Sequence, residues 1–141
     1  MVEIFFVTFL FFGIFIYKSE KNMNVREIVL DCSYTYYGED IMDNGKCLFD
    51  YIIHRDGVVR SCGNVIGNRI SVCYVGGIGI DGKTVCDTRT IEQREALLEL
   101  VCRLMDEYGI TLDNVYCKFV TVMDFRDEYM NWVSKKVFSK I

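Results

Sequence analysis

The sequence predicts an α/β domain: a small mixed β-sheet flanked by helices. Three observations carry that expectation. Residues 91–108 form an amphipathic helical pattern with capping residues at both ends. Residues 70–75 are a short, nearly all-apolar run closed by Gly76-Gly77, as in a strand at the middle of a sheet. Around them lie short β-branched runs separated by Asp-Gly and Asn-Gly turns. Such elements bury their apolar faces only by packing as layers.

Taken in order, residues 18–24 read as a polar linker and residues 25–30, VREIVL, as the first strand. Residues 31–46 are polar and turn-like, with Tyr37-Gly38 and Asn44-Gly45. Residues 48–53 read as a second strand. Asp56-Gly57 then reverses the chain, so that Val58-Val59-Arg60 returns beside it as a hairpin. The strand at 70–75 follows, then a turn at Asp81-Gly82. Thr90 is placed to cap the long helix, and Gln93 to complete a capping box. Leu97, Leu100, Val101, Leu104, Met105 and Tyr108 recur at helical spacing as a buried stripe. Glu92, Arg94, Glu95, Glu99, Arg103, Asp106 and Glu107 face water, and Gly109 stops the helix. Residues 115–123 read as a strand. Residues 126–141 read as a last helix with Tyr129, Trp132, Val133 and Val137 on one stripe. No internal repeat occurs.

The chain has 141 residues, 51% of them hydrophobic, and a formal net charge of -4. That is enough chain for one well-filled core. Basic residues form no long run, so nucleic acid is not expected as a partner. Cysteines stand at 32, 47, 62, 73, 86, 102 and 117, an odd number that leaves at least one free in a monomer. None forms a CxxC pair, which excludes zinc-finger spacing. Several lie in apolar runs, where cysteine packs as a small hydrophobe, so a reduced chain is expected unless the protein is exported.

Residues 4–17, IFFVTFLFFGIFIY, are apolar except for Thr8. As a helix they span about 21 Å, against a hydrocarbon core of roughly 30 Å. The run suits a membrane anchor or a signal segment over residues 1–17, although Glu3 precedes it and no small-x-small cleavage site follows. A buried core element is the remaining reading. Lys18, Lys21 and Arg26 follow the run and, if it spans, favour the domain on the cytoplasmic side. The expected location is therefore membrane-associated or secreted.

Three stretches carry a family resemblance. The first is Ile28-Val29-Leu30-Asp31-Cys32-Ser33. The second is Phe49-Asp50-Tyr51-Ile52-Ile53 with Arg55-Asp56-Gly57. The third runs from Ile70 through Gly76-Gly77 and Asp87-Thr88-Arg89-Thr90 to Gln93. Over residues 25–133 the chain resembles the phage lysozyme-type N-acetylmuramoyl-L-alanine amidases, which share their fold with the peptidoglycan recognition proteins. The resemblance implies a shortened amidase-like fold over residues 25–141. It also implies zinc held by two histidines and a third histidine or cysteine, with one position open for water. Here the matching positions hold Asp31, Gly63 and Cys117, and the family's tyrosine-histidine pair on the second strand reads Phe49-Asp50. Gly63 has no donor. Cys62 beside it is one residue out of step, which in an extended segment turns a side chain to the other face.

The remaining candidates are weaker. His54, the only histidine, ends a strand and has no nominated acid–base partner. Asp50 and Asp56 form no recognisable dyad. Gly76-Gly77 and Gly79 lack the lysine and hydroxyl residue of a phosphate loop. Lys118, Lys135, Lys136 and Lys140 read as solvent-facing charges. Tyr34, Tyr36 and Tyr37 in SYTYYG are either an exposed aromatic contact or edge-strand packing. The expected function is an amidase-like domain without catalytic residues, metal or cofactor, acting by binding a peptidoglycan fragment or a protein. The alternative is an active zinc amidase with a rebuilt Asp31/Cys62/Cys117 site. A small membrane protein with a purely structural role is the third class.

The linker at 18–24 separates the apolar run from the recognisable scaffold. A chain starting at Asn22 is therefore expected to stay soluble and to melt cooperatively. Aggregation of that chain, cured by restoring the first residues, would place the apolar run in the core.

Overall fold

The computed structural model describes residues 24–36, 48–63, 65 and 67–139. The apolar segment 1–17, most of the linker, Tyr37, both turns proposed between 37 and 45, Cys47 and Lys140 lie outside the described residues.

The protein is a mixed α/β fold. Seven strands are described: β1 (Glu27–Cys32), β2 (Thr35–Tyr36), β3 (Tyr51–Ile53), β4 (Val59–Ser61), β5 (Arg69–Tyr74), β6 (Gly77–Ile78) and β7 (Val115–Cys117). Two helices follow the pattern of the sequence, α1 (Ile91–Tyr108) and α2 (Val122–Phe138), with a 3-10 turn at Leu112–Asn114. The main sheet has the order β4-β3-β5-β1-β7. Only the β3–β4 hairpin is antiparallel; β3–β5, β5–β1 and β1–β7 are parallel. The all-apolar run expected at the centre is the central strand. β2 and β6 form a separate parallel pair.

Helix α1 has the bounds read from the sequence, because its ends are chemically specified. Thr90 Oγ1 accepts from Gln93 N at 3.0 Å, and Gln93 Oε1 accepts from Thr90 N at 2.9 Å. At the other end Gly109 adopts φ 67 and its N–H donates to the Met105 carbonyl. This left-handed turn is one that glycine makes without the Cβ penalty. Leu97, Leu100, Val101 and Leu104 are buried as the stripe requires, with Met105 and Tyr108 partly buried against the core. Leu98 is buried as well. A second helix accounts for this: Trp132 of α2 donates to Glu95 of α1 at 3.1 Å, so α1 is flanked as well as seated.

One core cluster joins Ile28, Leu30 and Cys32 of β1, Ile53 of β3, and Ile70, Val72 and Tyr74 of β5 to both helices. Alternation along the strands sends Val29, Asp31, Ile52 and Cys73 to the opposite face. Val29, Ile52 and Cys73 are buried there too.

Several boundaries differ from expectation, those of β4 and β5 by one residue. β1 starts and ends two residues later than 25–30, because Asp31 and Cys32 still pair with Cys73 and Tyr74. Residues 48–50 bend and only Tyr51–Ile53 are strand. The run at 115–123 is a strand for only three residues and α2 begins at Val122, not near 126. β-Branched residues favour extension there, but tertiary contacts override it. Phe119 leaves the ladder for an edge-on contact with Tyr74 (4.9 Å between centroids), and the Arg89 guanidinium lies 4.7 Å over its ring. Thr121 then accepts from Asp124 N at 3.0 Å and starts the helix. On α2, Tyr129 is buried and Trp132 and Val133 are partly buried, but Val137 is 55% exposed. The helix outruns the core at its last turn.

Arg89 closes the fold on the α2 side. Its side chain has no exposure and makes ion pairs with Asp87 at 2.9 Å and Glu128 at 2.8 Å. A buried guanidinium without carboxylate partners would be costly, so this pairing ties α2 to the loop before α1.

Leu104→Ala is expected to lower stability by about 2–5 kcal/mol through lost transfer energy and a cavity. Glu99→Ala is expected to change it by less than about 0.5 kcal/mol, as for an ordinary surface residue. Urea melts that show equal losses would place the wrong face of α1 against the sheet.

Candidate functional site

Ligands of open α/β sheets bind beyond the carboxyl ends of the parallel strands. Here that rim is formed by the ends of β3, β5, β1 and β7 and by the Gly76-Gly77 turn. Its frame is built from residues of all three stretches. Gln93 Nε2 donates to the carbonyls of Ile53 at 3.1 Å and Val75 at 2.9 Å. Arg55 Nη1 donates to Val75 O, Thr88 O and Gln93 Oε1 at 2.8 to 3.1 Å. Thr88 Oγ1 accepts from Gly77 N at 2.8 Å, and Ser33 Oγ accepts from Gly76 N at 2.9 Å. Both glycines have positive φ, 142 and 107. A Cβ on Gly76 would strike Thr88 and Arg55, and one on Gly77 would strike the Cys32 sulfur. The glycine pair is therefore a packing requirement. Its N–H groups, and that of Gly79 on Thr84 O, are spent inside the protein, so they form no phosphate cradle.

Asp31 and Cys117 end neighbouring strands but leave the sheet on opposite faces. Leu30 is level with Cys117 in the β1–β7 ladder, and residues opposite one another in a ladder point the same way. Cys117 thus turns with Leu30 towards the helices, where it packs against the core. Asp31 turns to the other face. Its Oδ1 accepts from the Cys32 N–H at 2.8 Å, and Lys118 Nζ stands 3.9 Å from Oδ2. Gly63 follows β4 at the far edge of the sheet. Three strand spacings separate β4 from β1, roughly 14 Å. Cys62 is on that same side and is disulfide-bonded, which corrects the expectation of a fully reduced chain. Cys32, Cys73, Cys86, Cys102 and Cys117 are free.

These residues do not fit a zinc ion, whose ligands must converge to about 2.0–2.3 Å. The Asp31 carboxylate accepts from the Cys32 N–H and is paired with Lys118, Gly63 has no donor atom, and Cys117 faces away. Burial also pushes the Cys117 thiol up, away from the thiolate that a metal needs. Among the described residues no group of three or more His, Cys, Asp or Glu side chains could hold a metal ion.

The other candidates have local roles. Asp50 Oδ2 accepts from Ser71 N at 2.9 Å and Ser71 Oγ at 3.1 Å, while Asp56 Oδ1 accepts from Val58 N at 3.0 Å in the hairpin turn. The two carboxylates lie at opposite ends of β3 and do not converge. His54 N donates to Val58 O at 2.9 Å in the same turn. Lys136 pairs with Glu95 at 3.4 Å and Glu99 at 3.8 Å and covers Trp132, so it is more than a free surface charge. Lys135 is exposed.

Tyr34 is 51% exposed and the only non-glycine residue with positive φ, 58, among the described residues. That conformation is uncommon for a bulky residue, and the nearby Asp31 charge pushes its phenol pKa up. Tyr36 combines both roles expected of it: it sits in the edge strand β2 with its hydroxyl donating to Ile80 O at 3.3 Å, and it remains 42% exposed. Ile80 and Val85 beside this small sheet are exposed as well. Lys118, expected as a solvent-facing charge, is open to solvent but also stands beside Asp31, a partner that depends on the β1–β7 register.

No family model matches the chain, and no curated protein matches it. Among the described residues no helix is long and apolar enough to cross a membrane.

Burial pushes the Cys73 thiol up to about 12 and also raises Cys32. At pH 8 a maleimide is expected to modify the exposed Cys86 and Cys102 quickly. Cys32 and Cys73 should react only at the rate of unfolding. Prompt modification of Cys73, read by peptide mass spectrometry, would contradict this packing.

Proposed function

We propose that the protein is an amidase-like binding domain without hydrolytic chemistry of its own, and that its ligand sits on the carboxyl rim of the sheet. The observation that supports this most is the division of Asp31 and Cys117 between the two faces. A hydrolytic zinc needs converging ligands and an open position for water, and this rim supplies an ion pair instead. The retained scaffold, Arg55, Gln93, Thr88 and the glycine pair, is the part of the resemblance that concerns packing. A fold can persist where a site does not.

The ligand class proposed is a peptidoglycan fragment or a protein segment. Tyr34 and Tyr36, with Ile80 and Val85, offer rigid aromatic and apolar contact of the kind that dominates binding surfaces. Residues 1–17 are proposed to tether the domain to a membrane.

Metal analysis of the purified protein, paired with turnover of a defined muropeptide before and after chelation, tests the reading. The expected outcome is no cleavage under either condition. Chelator-sensitive cleavage abolished by Asp31→Ala would replace it with the active zinc amidase. Where muropeptide binding is measurable, Tyr34→Ala is expected to weaken it by about tenfold, as for a buried aromatic contact of roughly 1.4 kcal/mol.

A further inference from the structure

The residue that the ladder sets beside Asp31 is Lys118. Leu30 is level with Cys117, so the next step along both strands pairs Asp31 with Lys118. Lys118 N donates to Leu30 O at 2.9 Å, which carries the ladder one residue beyond β7. Both side chains leave the face turned away from α1 and α2, and Nζ stands 3.9 Å from Oδ2. Asp31 is mostly covered, at 19% side-chain exposure, whereas Lys118 is open at 58%.

We propose that the Lys118 ammonium is the resident cation of this rim, standing between the ends of β1 and β7 and offering its donors to a carbonyl or carboxylate oxygen of the ligand. The inference rests on the metal-free reading of the rim given above. Its physical content is charge balance. A partly covered carboxylate at a strand end needs a positive neighbour, because desolvation penalises a lone charge. A divalent ion would meet that need only with further converging ligands. An ammonium meets it alone, since its charge and its donors travel on one flexible stem. The separation of 3.9 Å is an ion pair longer than a hydrogen bond, so the ammonium donors are not consumed by Asp31. At 58% side-chain exposure against 19% for Asp31, Lys118 is the outward-facing member of the pair.

Two measurements on the full chain decide this. In the first, a carbodiimide acts on the unaltered protein. The Asp31 carboxylate and the Lys118 amine are expected to join as an amide with loss of water, read by peptide mass spectrometry. Absence of that cross-link, while Glu95 and Lys136 are joined in the same sample, overturns the pairing. In the second, Asp31→His, Lys118→His and the double variant are melted with and without zinc. Two histidines side by side on adjacent strands would form the beginnings of a metal site. The double variant is therefore expected to gain a zinc-dependent rise in Tm, reversed by EDTA, of about 10 °C at zinc a hundredfold above its Kd. The unaltered chain and both single variants should show no such rise. The proposal is overturned if the unaltered chain is itself stabilised by zinc and Asp31→Asn abolishes the effect. It is equally overturned if a cooperatively folded double variant responds no more than the unaltered chain. Neither measurement depends on muropeptide turnover, so failure here is distinct from failure of the proposed function.

Discussion

The side-chain amide of Gln93 is where the helix layer, the hairpin and the central strand meet. It has no exposure, and all four of its hydrogen-bonding positions are used: two donors on Ile53 O and Val75 O, two acceptor sites for Thr90 N and Arg55 Nη1. A buried amide of this kind is costly unless every position is satisfied. Satisfying them fixes three things at once: where α1 begins, how far β3 and β5 extend before they diverge, and where Arg55 reaches. Arg55 in turn holds the Thr88 carbonyl, and Thr88 holds Gly77. The shape of the rim follows from one glutamine in the first turn of a helix.

A second constraint acts from the other side. Arg89, enclosed by Asp87, Glu128 and the ring of Phe119, draws residues 118–120 off the sheet and docks α2. β7 is short for this reason. Its last bonded residue is Lys118, and its side chain comes to rest beside Asp31 rather than continuing along a longer edge strand. The electrostatic character of the rim is thus a by-product of how the second helix is anchored.

Much of this was legible in the residues themselves. Thr90, Gln93 and Gly109 specify the ends of α1 through local hydrogen bonds and a left-handed turn, and those need no distant partner. Asp56-Gly57 specifies the hairpin, and the apolar density of residues 70–75 specifies a central strand. The run at 115–123 misled for a physical reason. Its β-branched residues favour extension locally, but the choice between strand and cap was made by Tyr74 and Arg89, far away in sequence. Cys62 was another such case, since pairing of a thiol depends on what approaches it in space.

By itself, then, the sequence determined the layers of this protein and the ends of its long helix. It singled out Asp31 and Cys117 only through the family resemblance. Only the tertiary structure decided that they face opposite ways and that Lys118 is the partner of Asp31. The reason is register. Side chains alternate along a strand with period two, so a shift of one residue between β1 and β7 exchanges Cys117 for Lys118 on the face that Asp31 occupies. The register sets Leu30 level with Cys117, a pairing between distant residues that no pattern along the chain expresses.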